Sequence, residues 1–425
     1  MRLIADFHIH SHYSVATSSS LTPENLEVWA RRKGIHIIGT GDVFHPRWYE
    51  DLKAKLIPAE DGLFRLRDEY RTKEDQPLPP AAHPVRFILS GEISSIYKKK
   101  GKTRKVHNLI LASSFDAVKK IQGKLGQLGN INSDGRPILG IASRDLLEIA
   151  LEAGSDIVLI PAHIWTPWFS VLGAKSGYDT IEECFDDLTG QIFAVETGLS
   201  SDPPMNWLCS FLDGYTLISN SDAHSPERLG REANLFEADL SYSSIIAAMK
   251  GDCLQKFLGT IEFFPQEGKY HLDGHRKCGI CWTPEETAKH GEICPVCGKT
   301  VTVGVLNRVM QLADRADTGL RPERKAFYSL TPLKNLIAEI KGVGASSREV
   351  HEGYEYLLKR GGPEFSILLD LSLEQIREIG GEILSEGIRR LRNREVSIEE
   401  GYDGKFGQIK AFRSGEVKSL SSQIS

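Results

Sequence analysis

A chain of 425 residues is too long for one ordinary domain, so two or three are expected, each able to bury a core. Its 40% apolar and 26% charged residues are those of a soluble globular protein and exclude a disordered or fibrous chain. A net charge of −5 does not advertise nucleic-acid binding, but buried carboxylates that ligate cations contribute to it, so its sign excludes little.

Met1-Arg2 runs straight into the first strand without a signal-peptide pattern, and no apolar run is long enough to span a bilayer, so a cytoplasmic protein is expected. The opening stretch Asp6-Phe-His8-Ile-His10-Ser-His12 places His8 and His10 on one side of a strand, where they can share a metal. Thr22-Pro23 then reads as an N-cap followed by proline at the first helical position, with Leu21 and Leu26 as a hydrophobic staple and Gly34 as the stop. Further strands are predicted from Ile35 to Thr40, Val85 to Leu89, Val106 to Ala112, Asp156 to Pro161, Ile192 to Thr197 and Tyr215 to Ser219. Helices are predicted from Asp116 to Leu128, Ser143 to Ala153 and Asn206 to Leu212.

This alternation implies an α/β fold with a parallel sheet, and so many units favour a closed, distorted β/α barrel. The strand ends deliver Asp42, Glu92, His107, His163, Glu196, Asp222 and His224, which with His8 and His10 fall on one rim. Mixed imidazole and carboxylate ligands suit Zn²⁺, Mn²⁺ or Fe²⁺, and a carboxylate such as Glu92 can bridge two ions. Paired cations clamp the attacking and leaving oxygens of a phosphoryl group, so phosphoester hydrolysis is the expected reaction.

Between Glu92 and His107 runs a basic stretch, Lys98, Lys99, Lys100, Lys102, Arg104 and Lys105, predicted as a loop that could track a nucleic-acid backbone. Trp165-Thr-Pro-Trp168-Phe169, directly after His163, offers aromatic faces for stacking a base or wedging a duplex. Past residue 260, Cys278, Cys281, Cys294 and Cys297 have the C-x2-C-x12-C-x2-C spacing of one structural Zn²⁺, leaving Cys184, Cys209 and Cys253 as ordinary buried cysteines. The remainder reads as helical from Thr331-Pro332, and the turn Lys341-Gly342-Val-Gly344 is similar to that of a helix-hairpin-helix, whose amides can hold a DNA phosphate. Arg389, Arg390, Arg392 and Arg394 form a second basic cluster, and the Ser-rich tail from Ser414 to Ser425 is expected to fray.

His8-Ile-His10, Thr40-Gly-Asp42, Gly91-Glu92, His107, Pro161-Ala-His163 and Ser221-Asp222-Ala-His224 resemble the ordered motifs of the polymerase and histidinol phosphatase (PHP) superfamily. That resemblance implies a seven-stranded β/α barrel holding two or three divalent metals, with Asp222, His224 and Glu92 in the catalytic centre. Asp42 stands where many relatives have histidine, and a further histidine after His10 has no match unless His12 serves. Glu196 ranks below the other ligands.

With the four-cysteine module and the Gly-Val-Gly turn, the whole chain resembles the endonuclease Q family. This implies a PHP barrel over residues 1–260, a zinc module over 261–325 and a helical DNA-binding domain over 326–425. It implies a DNA-repair enzyme that nicks on the 5′ side of deaminated bases (uracil, hypoxanthine, xanthine) and abasic sites, leaving 3′-hydroxyl and 5′-phosphate ends. Its partner is lesion-bearing duplex DNA at the nucleoid, with single-stranded DNA, a sliding clamp and a helicase as further candidates. A flipped lesion is expected to meet Gly198, Leu199, Ser200 and Asn220, whose amide suits a carbonyl-bearing base. A small-molecule phosphatase or a non-catalytic DNA-binding protein with a degenerate barrel are the alternatives.

Overall fold

The opening strand Arg2–Asp6 is buried along nearly its whole length because it is paired on both edges. It runs parallel to Ile37–Gly39, itself parallel to Arg86–Lys99, and antiparallel to Ala233–Glu237. The structure, a computed structural model, describes residues 1–72 and 84–424. Between the first two strands Thr22 accepts a hydrogen bond from Asn25 N, Pro23 opens the helix Pro23–Lys33, and Gly34 ends it with φ 86°.

The expected parallel alternation gives way to a mixed, eleven-stranded sheet. Arg86–Lys99 runs far past the predicted end at Leu89 and doubles back into Lys102–Ala112 through Lys100 and Gly101, with φ of 50° and 76°. Two successive positive φ values match the twist of a tight hairpin, so no helix intervenes and the pair is antiparallel. The basic stretch is therefore the tip of a ribbon and not a loop. Lys102–Ala112 pairs antiparallel with Val158–Pro161, while Ala194–Glu196 and Thr216–Ile218 form a separate parallel pair. Ile164 N donating to Glu196 O at 2.9 Å and a bridge between Ile9 and Ala223 tie that pair to the rest.

Helices Phe115–Leu128 and Ser143–Ala153 form where the apolar periodicity places them. The helix expected from Asn206 to Leu212 does not. Asp202 caps an earlier helix, Pro203–Trp207, by accepting from Met205 N, and Cys209 in extended backbone separates it from a short turn at Ser210–Leu212. Lys256–Glu262 and Ala326–Ser329 lie side by side in the main sheet, so the cysteine-bearing segment between them is an excursion from one edge. The chain then forms helices Leu333–Lys341, Arg348–Gly361 and Leu373–Arg392. The tail expected to fray carries the helix Glu416–Ile424, with Ser425 outside the described residues. Among the described residues, no helix is long and apolar enough to cross a membrane.

The helix Pro23–Lys33 docks on the C-terminal helices through a buried ion pair, Lys33 Nζ to Glu364 at 2.7 Å. Glu364 also accepts from Leu333 N and Tyr354 Oη. Glu364→Ala strands a buried ammonium and should destabilise the protein by about 3–5 kcal/mol. Arg2→Ala, which opens only the exposed pair with Asp370, should leave the midpoint of a chemical denaturation titration nearly unchanged, and that titration reads both variants.

Candidate functional site

Glu92, buried in the middle of Arg86–Lys99, is where the site residues meet. Its Oε1 lies 2.7 Å from His107 Nδ1 and 3.1 Å from His163 Nε2. Its Oε2 lies 3.5 Å from both His8 Nε2 and His10 Nε2. On the far side Asp222 Oδ1 stands 2.9 Å from His10 Nε2, and the His10 and His224 rings are 4.6 Å apart. The donor atoms form three overlapping groups, each within 4.8 Å: His8, His10 and Glu92; His10, Asp222 and His224; Glu92, His107 and His163.

Two predicted ligands stand elsewhere. Asp42 Oδ1 faces His10 Nδ1 at 3.0 Å, while its Oδ2 accepts from Ser11 N, Ser11 Oγ and Ser14 Oγ at 2.6, 2.7 and 2.8 Å. Glu196 faces His8 Nδ1 at 3.0 Å and accepts from His163 N and Asn220 Nδ2, both at 2.8 Å. Each carboxylate thus sits on the inner nitrogen of an imidazole, where it can accept that N–H and leave Nε2 facing Glu92, as a metal-binding histidine requires. His12 is absent from the groups, its Nδ1 lying 3.1 Å from Leu21 O. Asp42→Asn should lower divalent-metal affinity by about 10–100-fold with the fold intact, read by isothermal calorimetry and circular dichroism.

Electrostatics fit the same geometry. Burial opposes protonation of His10, yet Asp42 and Asp222 outweigh it and raise the pKa to about 9. At His107 burial wins over Glu92, and the pKa falls to about 4. Burial favours the neutral form of Glu92, but His107, His8 and Arg136 hold it ionised. The backbone is strained where side chains must converge: Asp42, His163 and Asp222 have φ of 48°, 31° and 46°. Gly198 sits against His163 so closely that a Cβ there has no room.

Whether these residues suit divalent cations is decided by His8 Nε2, a buried nitrogen that faces the Glu92 carboxylate and has no hydrogen-bond partner among the described residues. An imidazole nitrogen left open beside an ionised carboxylate matches a metal donor and is costly without one. The interior closes at His8, His10, Asp42 and Glu92, and opens at Asp222, His224 and Arg136, whose side chains are 27%, 31% and 25% exposed.

The residues expected to touch nucleic acid divide sharply. Trp165 is fully buried and donates from Nε1 to Asn206 Oδ1 at 2.7 Å, so it cannot stack on a base; Trp168 is 40% exposed beside Tyr270. Asn220 is also buried, its Oδ1 accepting from Phe7 N and Asn234 Nδ2, so its amide is spent holding Glu196. Leu199 and Ser200 are half-buried after Gly198. On the hairpin, Lys99 pairs with Asp186, Lys100 with Glu183, and Arg104 stacks on Tyr178. Lys98 and Lys102 stay exposed, and Lys105 lies over Phe169. Gly342 and Gly344 are exposed between two helices. Arg389 and Arg390 are largely neutralised by Glu386, Glu395 and Glu416.

The second predicted metal centre changes composition. Cys278, Cys294 and Cys297 gather with His275, and Cys281 is exposed outside the group; of the other three cysteines Cys184 and Cys209 are buried as expected, but Cys253 is exposed. His275 ends the strand Asp273–His275, and its Nδ1 lies 3.4 Å from Cys297 Sγ. His275 escaped the sequence reading, although its spacing of three from Cys278 was a usable signal. Arg136, in a polar loop, carried no motif.

A model of the MJ0043 C-terminal domain matches residues 332–395. MJ0043 of Methanocaldococcus jannaschii is 31% identical over 263 residues, 60% of this chain, and the match spans 32% of that relative's own length. The crystal structure of the lesion-specific endonuclease PfuEndoQ from Pyrococcus furiosus superposes with a TM-score of 0.84 at 31% identity, covering 99% of both chains. Endonuclease Q in complex with a 27-mer duplex bearing an abasic lesion at its active site gives a TM-score of 0.83 at 32% identity over 98% of both chains.

Proposed function

This chain belongs to the endonuclease Q family, and we propose that it is a metal-dependent DNA-repair endonuclease acting 5′ to uracil, hypoxanthine, xanthine and abasic sites. The observation that carries the reading is the set of three donor groups linked through Glu92 and His10, each of which belongs to two of them, and open to solvent at one mouth. His8, His10, Glu92, His107, His163, Asp222 and His224 would hold two or three divalent cations, while Asp42 and Glu196 orient the histidines. Bound there, such cations would supply an activated water and neutralise charge at phosphorus.

The remaining work falls to the chain. Asp222 and His224 stand at the mouth, where a scissile phosphate would meet the cations they help to hold. The water oxygen would bond to phosphorus as the P–O3′ bond breaks, the water losing a proton and O3′ taking one up from solvent, which leaves a 3′-hydroxyl and a 5′-phosphate. Leu199 and Ser200 border the space for a nucleotide turned out of the stack, Trp168 stands where it can fill the gap, and Lys98, Lys102 and the Gly342–Gly344 turn meet backbone phosphates. In this reading residues 1–260 form the catalytic barrel, 261–325 a zinc module and 326–425 a DNA-gripping domain. The testing experiment is nicking of a duplex with one tetrahydrofuran abasic analogue under Mn²⁺ or Mg²⁺. A nick confined to the lesion strand supports the reading; equal cutting of the intact duplex overturns its lesion specificity.

A further inference from the structure

The loop from Asn130 to Pro137 is pinned to three segments that carry site residues. Gly135 N donates to Tyr13 O at 3.0 Å and Val15 N to Asp134 Oδ1 at 3.3 Å, just past His8 and His10. Ser94 N, two residues beyond Glu92, donates to Pro137 O at 3.0 Å. Asn132 O lies 3.1 Å from Nε2 of His45, three residues beyond Asp42. Gly135 is pressed against Asp42 and Ser14 with no space for a side chain. Asp134 Oδ1 also accepts from Arg136 N at 3.0 Å, which fixes where the next side chain starts.

That side chain enters the mouth. Arg136 Nη1 donates to Glu92 Oε2 at 3.2 Å, the one hydrogen bond its guanidinium makes among the described residues, and the side chain is 25% exposed. Arg231, the nearby alternative, spends its guanidinium on the Ser221 and Asp222 carbonyls. Unspent donors of a rigid fork, held beside the metal groups and open to solvent, match the non-bridging oxygens of a phosphodiester.

We propose that Arg136 is a catalytic residue that binds a non-bridging oxygen of the scissile phosphate while its other edge rests on Glu92. The proposal rests on the phosphodiesterase reading of the site. Charge that grows on the phosphoryl oxygens meets a fixed cation in a site partly closed to water. No bond to Arg136 forms or breaks.

The test compares wild type and R136A, as full-length metal-loaded proteins, on abasic duplex and on bis(p-nitrophenyl) phosphate. Single-turnover cleavage by R136A should fall on the order of 10²-fold. Its Mn²⁺ affinity by calorimetry should stay inside the about 10–100-fold loss seen when a ligand-orienting partner is removed. Inorganic phosphate should bind the metal-loaded variant more weakly than wild type, and added guanidinium should restore part of the lost rate. An unchanged rate, or full recovery at saturating Mn²⁺, overturns the proposal and leaves Arg136 as a prop for Glu92. If wild type cleaves the small diester but ignores lesion DNA, the endonuclease reading falls while the R136A comparison is still decided on the diester.

Discussion

Glu92→Gln should all but abolish nicking while leaving DNA binding close to wild type. The substitution keeps side-chain volume but removes the charge that His8, His10, His107 and His163 all face. Two of the three donor groups include Glu92, so its loss would empty or displace the cations proposed to clamp the phosphoryl group. Such a clamp supplies several kcal/mol, which at about 1.4 kcal/mol per decade gives a loss of roughly 10³-fold or more. Glu92 is buried beneath the mouth and cannot touch a duplex itself, so binding should survive. Metal content by mass spectrometry and a gel-shift titration separate the two effects. Tight metal binding with wild-type nicking would show that Glu92 is not central.

The second large effect concerns the small module. Its apolar core is little more than Trp282, Cys294 and Val301, too small to hold the segment without further restraint. Binding free energy for structural zinc, about 10–16 kcal/mol in isolated fingers, is then folding free energy for this segment. With His275, Cys278, Cys294 and Cys297 as the donors, His275→Ala should cost the bound zinc and open the segment to proteolysis, whereas Cys281→Ser should retain both. The opposite pattern, zinc lost from Cys281→Ser and kept by His275→Ala, would restore the four-thiolate set that the Cys-x-x-Cys spacing suggests.

That module shows where sequence pattern stops being informative. Spacing pointed to the cluster but not to His275, and Cys281, on a strand paired with Gly274, is exposed outside the gathered donors. The same holds at the main site. His8, His10, Glu92, His107, His163, Asp222 and His224 were legible as neighbours because each follows or occupies a β-branched run and therefore a strand, although Glu92 and His107 lie within their strands and not at the ends. Asp42 and Glu196 were legible as site residues but not in their parts, since a carboxylate on the inner imidazole nitrogen and one on a metal look alike in a sequence. Trp165 and Asn220 were read as contacts because they neighbour ligands; burial, which depends on segments far along the chain such as Asn206 and Asn234, turned both inward. Arg136 was invisible because its position is set by Tyr13, Val15, His45 and Ser94, none of which precedes it closely. The hairpin from Arg86 to Ala112 was missed because a Lys-Gly turn inside a basic run reads as a solvated loop.

The central claim is that one chain combines lesion recognition with metal-dependent cleavage of the backbone. It is tested most directly by mapping cuts at single-nucleotide resolution on duplexes carrying one deoxyuridine, one deoxyinosine or no lesion, with Mn²⁺ and with EDTA. The account predicts a single metal-dependent nick immediately 5′ of each lesion, with 3′-hydroxyl and 5′-phosphate ends and an intact control. Cleavage that ignores the lesion, or a base-release product in place of a nick, would contradict it.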